Sequence, residues 1–205
     1  MTTESKTRTY RKRARAEHEE RTRQRITEAA VKLHGSVGPA RTTISGIAEE
    51  AGVQRATVYR HFPDEEAIFQ ACTAHWASLN PPPDHTAWAD IRDPSERLRA
   101  ALTEVYDWYG WAEPMLSRTT RDAPVVPAMQ PTVALIAQLG VARRDVLLKG
   151  RPERGSARQR VAAAIAHAIS FPAYRSLVVE QGLPEAEAVA LMTAMVESAG
   201  RARPR

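Results

Sequence analysis

Residues 43–62 read Thr-Ile-Ser-Gly-Ile-Ala-Glu-Glu-Ala-Gly-Val-Gln-Arg-Ala-Thr-Val-Tyr-Arg-His-Phe, a pattern of two short helices joined by a tight turn. Ile44, Ile47, Ala48 and Ala51 fall at i, i+3, i+4 and i+7, the period of a short helix that buries one stripe. Thr43 suits the cap because its hydroxyl accepts a first-turn N–H, and Gly52 suits the left-handed residue that ends the helix. Val53 then plugs the corner. Ala56, Val58, Tyr59 and Phe62 form the inner side of a second short helix, whose other side carries Gln54, Arg55, Thr57, Arg60 and His61. Two such helices with donors turned outward on the second make a helix-turn-helix.

Taken with its neighbours, the run Thr-Thr-Ile-x-x-Ile-Ala-x-x-Ala-Gly-Val-x-Arg-x-Thr-Val-Tyr-Arg-His-Phe-Pro-Asp at 42–64 resembles the DNA-binding core of tetracycline-repressor (TetR) family regulators. The resemblance covers residues 24–78; beyond them only a helical layout is shared. Where many members carry lysine at the start of the next helix this chain has Glu65, which favours the helix dipole in place of the usual phosphate contact. The resemblance implies an all-α protein that acts as a homodimeric repressor on a palindromic double-stranded operator. It implies also that a small-molecule inducer in the larger domain tilts the fourth helix, changes the separation of the recognition helices and releases the DNA. Activation in place of repression is the first rival, and a helical enzyme or carrier with an incidental DNA-binding module the second.

Charge agrees with such a partner. Nine Lys or Arg against four Glu within residues 1–25 account for the whole net charge of +5. A basic arm beside a helix-turn-helix is an electrostatic footprint for phosphates, because neutralising them releases counterions. Residues 1–16 hold little apolar content apart from Tyr10 and are expected to be a disordered arm. A single cysteine, Cys72, excludes an internal disulfide framework, and no apolar run is long enough for a membrane span. With no signal-peptide pattern, a soluble cytoplasmic protein is expected.

Three divisions follow: the arm at 1–16, a DNA-binding domain at 17–79 that takes in the start of a linking helix, and a regulatory and dimerisation domain at 80–205. The first helix runs from about Glu17 to His34 on the stripe Ile26, Ala29, Ala30 and Leu33. Asp64 caps the fourth, whose buried face is Ile68, Phe69, Cys72, Trp76 and Leu79. Asp93-Pro94-Ser95-Glu96 starts a fifth. Four prolines between 113 and 131 leave room only for short helix there. Leu135, Leu139, Ala142 and Val146 define the next stripe, Ser156 and Gln159 a capping box, and Pro172 a kink.

For DNA, Gln54, Arg55 and Thr57 are expected to meet base edges, with Arg55 on guanine. Arg41, Thr42, Thr43, Tyr59, Arg60 and His61 are expected at the phosphates or beside them. For the inducer, Tyr106, Tyr109, Trp111, Met115 and Phe171 are expected to wall a pocket in which His167 orients a polar group; packing aromatics beside a proline-broken stretch favours voids. The apolar surface of the last two helices, through Val161, Ile165, Val189, Met192 and Val196, is expected to form the dimer interface. Cys72, His75 and His85 lack an acidic partner at ligand spacing, so neither metal nor cofactor is expected. No phosphate loop or nucleophile elbow is present, and the chain does not read as an enzyme.

Overall fold

The computed structural model of this chain describes residues 3–201, with the side chain of Tyr10 and those from Lys12 onward. Lys6, Arg8 and Arg11 in the basic arm, as side chains, and Arg203 and Arg205 at the far end lie outside the described residues. The described chain forms helices α1 (Thr3–Ser36), α2 (Ile44–Glu50), α3 (Arg55–His61), α4 (Glu65–Leu79), α5 (Pro94–Asp122), α6 (Gln130–Leu147), α7 (Gly155–Ala168), α8 (Phe171–Tyr174) and α9 (Glu185–Arg201). A π-helical segment, Arg175–Glu180, follows α8. Among the described residues there is no strand and no single helix long and apolar enough to cross a membrane. Two units result, residues 1–80 with 118–132 and residues 81–117 with 133–205.

In the first unit, Ile26, Ala29 and Ala30 of α1 are buried together with Ile44, Ile47, Val58, Phe62, Ile68, Phe69 and Cys72. The expected disordered arm is instead helical from Thr3, continuous with α1. Arg13 pairs with Glu17 and Arg15 with Glu19, each at 3.1 Å and one turn apart, which gives this exposed stretch local support of about 0.3–0.5 kcal/mol per pair. In α3 only Val58 is buried, joined one turn on by Phe62 at the C-cap; Ala56 and Tyr59 are exposed. At 100° per residue Ala56 lies on the far side and Tyr59 a quarter-turn away, so neither reaches the core. Leu79 at the end of α4 is exposed as well, and Trp76 is half-buried.

The boundary expected at residue 80 does not hold for everything after it. Met129 is buried in the first unit's core, and Ala123, Val126 and Ala128 pack against it, so 118–132 belongs with the N-terminal helices. The same core buries a polar group, His34, whose ring stacks on Phe69 with centroids 4.5 Å apart and whose Nδ1 lies 3.4 Å from the Cys72 sulfur. Burial pushes the imidazole down to about 4, against the opposing charge of Asp122. Burial also raises the Cys72 thiol to about 12, and it donates to the Phe69 carbonyl.

In the second unit, Asp93 accepts from the N–H groups of Ser95 and Glu96 at 2.9 and 2.8 Å and so starts α5. The helix then passes through Pro114 to Asp122, longer than the prolines alone suggest. Buried Ala112 and core-packed Leu116 hold the turns on either side of the missing donor. Leu98, Ala101, Leu102 and Val105 share one core with Val161 and Ile165 of α7 and Ala188 and Val196 of α9. Of the stripe expected on α6, Val146 packs against this core, Leu139 and Ala142 are half-buried, and Leu135 is 63% exposed. The capping box does not form either; α7 begins at Gly155, with Arg154 as N-cap and no side-chain cap bond.

The kink expected at Pro172 is a restart. The chain turns by 66° after Ala168, Ser170 accepts from the Ala173 N–H at 3.3 Å, and Pro172 takes an early position of α8, where its missing donor costs nothing. Wide π turns follow, with the Gln181 N–H reaching the Ser176 carbonyl at 3.1 Å.

The buried His34 makes a pH prediction. Its folded value near 4 lies below the ordinary 6.5, so the unfolded chain takes up this proton first. The stabilisation is full above pH 6.5 and lost as pH falls toward 4, to an extent of about 3 kcal/mol. Replacing His34 by Phe, which keeps the stack, should flatten that part of the acid limb in urea unfolding; an unchanged difference between pH 7 and pH 4.5 would contradict it.

Candidate nucleic-acid interface

Helix α3 presents its outer face because α1 holds its inner one. Val58 is fully buried, and Arg23 of α1 donates to the His61 carbonyl at 2.8 Å while its guanidinium lies 4.2 Å from the Phe62 ring centroid. Arg25 bonds the carbonyls of Ala51 and Gly52 in the turn between α2 and α3, where Gly52 has φ 62. These two arginines belong to the basic tally near the N-terminus, yet both are committed to backbone inside the unit. Sequence reasoning missed that role; their positions one and three residues before Ile26, at the start of the buried stripe, were the available signal.

On the outer face Gln54, Arg55, Ala56 and Arg60 are exposed. Arg55 donates to the Tyr59 hydroxyl at 3.1 Å and its guanidinium lies 5.5 Å from that ring. The pair holds the guanidinium in a defined orientation at the N-terminal end of α3, where a planar, bidentate donor suits a base edge or a phosphate. Thr57 and His61 are half-buried. Burial, then the charges of Arg60 and Arg23, keep the His61 imidazole below its usual range, and its Nε2 is buried without a partner.

Ahead of α2, Thr43 accepts from the Gly46 N–H at 3.0 Å, which leaves its own hydroxyl proton available. Thr42 donates to the Gly38 carbonyl at 2.9 Å, and Arg41 to that of Val37 at 2.9 Å. The loop that carries them is gripped by the end of α5. Asp122, whose side chain is 5% exposed, accepts from the Ala40 N–H at 2.9 Å and is paired with Arg121 at 2.6 Å. Arg118 donates to the Ser36 carbonyl at 2.9 Å. Gly38 has φ 93, and a Cβ there would collide with Arg121 and Asp122, so both the backbone and the close approach require glycine. The Arg121 guanidinium, before the Ala40 N–H, holds the Asp122 carboxyl below the usual range. Nothing in the local sequence couples residue 40 to residue 122.

The structure treats the other expected residues differently. Tyr106 and Tyr109 are buried, donate to the carbonyls of Ala168 and Ile169 at 3.0 and 2.8 Å, and pack with Phe171 and Tyr174 at ring separations of 5.3–5.5 Å. Trp111 is 58% exposed, His167 is exposed and Met115 is half-buried. The six therefore do not converge: a closed aromatic core replaces the expected open pocket, because the restart after Ala168 supplies carbonyls that the tyrosines can bond. Val161, Ile165, Val189, Met192 and Val196 are buried within the unit itself, so they form an intramolecular core and not a free surface. Their helices expose Ala163, Ala166 and His167 on α7 and Ala190, Leu191 and Ala194 on α9 instead. Cys72 meets His34 rather than His75 or His85, and among the described residues no group of three His, Cys, Asp or Glu is placed to hold a metal.

Residues 26–72 match the family described as bacterial regulatory proteins, tetR family. The HTH-type transcriptional regulator TtgR of Pseudomonas putida is 38% identical over 95 residues, 44% of this chain and 44% of that protein. The chain thus aligns with less than half the length of that curated relative. A TetR-family transcriptional regulator from Streptomyces coelicolor shares the fold at TM-score 0.57 with 21% identity, over 88% of this chain and 79% of its own. A TetR transcription regulator from Haloarcula marismortui does so at TM-score 0.57 with 16% identity, over 89% and 97%.

The grip on the loop is testable. Replacing Asp122 by Ala leaves the Ala40 N–H without its charged acceptor and should cost about 1.5–3 kcal/mol, read by urea unfolding, with faster hydrogen exchange at Ala40. Unaltered exchange at that amide would show that the carboxylate does not hold it.

Proposed function

We propose that this chain, whose residues 26–72 match the bacterial regulatory proteins of the tetR family, is a sequence-specific transcriptional regulator that binds double-stranded DNA and acts in the cytoplasm as a homodimeric repressor released by a small molecule. The observation that carries the reading is the outward Arg55–Tyr59 pair on a helix anchored from behind by Val58, Phe62 and Arg23. In that role Gln54, Arg55 and Thr57 read base edges, and Arg41, Thr42, Thr43, Tyr59, Arg60 and His61 set the register on the phosphates or flank them. Arg55 is the guanine reader. Repression is the mode that the family resemblance implies.

Two copies are required because a seven-residue recognition helix covers only a half-site. The surface that supports a two-fold pairing is the outer face of α7 and α9, where Ala163, Ala166, Ala190 and Ala194 allow close approach and Leu191 is 47% exposed. Release requires the ligand to prefer a conformation unable to hold DNA, by about 1–3 kcal/mol. Since Tyr109 and Phe171 pack edge to face at 5.3 Å, a ligand among the aromatics binds an opened state of the second unit and selects it from the ensemble.

Selection from a random DNA pool should recover a palindromic site, and Arg55→Ala should bind it more weakly by about 1–3 kcal/mol with relaxed preference at one position per half-site. Recovery of no enriched sequence by the unaltered protein would overturn the reading. For the dimer, the pair Leu191→Glu and Ala194→Glu should give monomers by sedimentation that bind the full site weakly. A dimer unaffected by both charges would move the interface elsewhere.

A further inference from the structure

Among the described residues of the second unit three arginines are buried, at 4%, 5% and 7% exposure for Arg97, Arg151 and Arg143, and they are not treated alike. Arg97 donates to the carbonyls of Ile91, Arg92, Val146 and Lys149, two of them at 2.6 Å. Arg151 pairs with Glu197 at 3.3 Å and also bonds the carbonyls of Leu147 and Pro94. Arg143 has one contact at the edge of hydrogen-bond range, to the Pro83 carbonyl at 3.5 Å, and its Nε is buried without a partner. Its neighbour Asp145 is engaged by Arg144, and among the described residues no carboxylate pairs with Arg143.

A guanidinium carries five donors and keeps its charge, so burying it unpaired is costly unless an anion completes it. Tyr109, which feels this charge, cannot serve as that anion, since burial pushes its phenol up to about 12 and its hydroxyl donates to the Ile169 carbonyl. One face of α6 leads to the guanidinium. Gly140, Leu139 and Ile136 lie three, four and seven residues before Arg143, hence on its side of the helix. Ile136 is 58% exposed, Leu139 and Gly140 are half-buried, and a Cβ at Gly140 would meet nothing within 4 Å. An apolar strip with space beside it therefore ends at an uncompensated, forked cation.

We propose that Arg143 anchors the carboxylate of a hydrophobic organic acid whose apolar tail lies along Ile136, Leu139 and Gly140. Planar carboxylate and planar guanidinium match as a bidentate pair, and the tail covers apolar surface that the chain leaves to solvent. The site names the ligand class for the release step proposed above and rests on that reading only for its effect on DNA; binding itself is measured without DNA.

Calorimetric titration of the full chain with decanoate and with 1-decanol tests it. Decanoate should bind, 1-decanol should bind far more weakly, and Arg143→Met should lower decanoate affinity about 10- to 100-fold with no effect on 1-decanol. Without ligand Arg143→Met should unfold at the same temperature as the unaltered protein or higher, because it removes a buried unpaired charge, and decanoate should raise the melting temperature of the unaltered protein only. Gly140→Leu, which fills the space for the tail and leaves Arg143 in place, should also weaken decanoate. Lack of decanoate binding, equal affinity for acid and alcohol, equal affinity for inorganic phosphate and decanoate, or a lower melting temperature for Arg143→Met would each overturn the proposal. Arg143-dependent decanoate binding that leaves DNA affinity unchanged would establish the site and remove its role in release.

Discussion

A seven-residue helix cannot stand on its own hydrogen bonds in water, since nucleation costs more than so few propagating residues return. Both α2 and α3 are of this length, and the arrangement of the first unit follows from holding them from one side while the other side stays open. Val58 and Phe62 supply the apolar anchor, Arg23 and Arg25 bond carbonyls at the helix ends, and Thr43 closes the first turn of α2. Because the inner face does all the holding, the outer residues Gln54, Arg55 and Arg60 carry no structural duty and are left to recognition.

That division explains which parts of the fold were legible in the sequence. The helix-turn-helix was readable because cap, stripe and left-handed glycine lie within ten residues of one another and each has a single physical cause. The inner face of α3 was drawn too wide, since Ala56 and Tyr59 satisfy an apolar count without satisfying the angle. Low hydrophobicity alone points to disorder in the charged N-terminus, while its exposed Arg–Glu pairs one turn apart favour helix. A count of arginines by sign does not show that Arg23, Arg25, Arg97 and Arg151 act as backbone and carboxylate clamps.

Long-range contacts were illegible for a different reason. The bond between Asp122 and the Ala40 N–H joins residues 82 positions apart, and no periodicity encodes it. The same holds for the last two helices, where apolar residues were read as excess surface. Val161, Ile165, Val189 and Val196 are covered by one another and by α5, so the surplus vanished once the third partner was in place. What remained outside was a set of alanines and Leu191, which a count of large apolar residues passes over. On α6 the reverse holds, with Leu135 of the expected stripe left in solvent.

The π-helical stretch at Arg175–Glu180 has a consequence for how this chain tolerates change in length. A π turn holds one residue more than an α turn, and here it lies between the restart at Ser170 and the turn at Gly182, whose φ is 68. Removal of a single residue from this stretch lets it relax into ordinary α-helix with the flanking core contacts in register. The same deletion inside α7 or α9 rotates every following side chain by about 100° and turns Ile165 or Val196 out of the core. A one-residue deletion is accordingly tolerated at 175–180, ahead of the last helix, and not within the helices on either side.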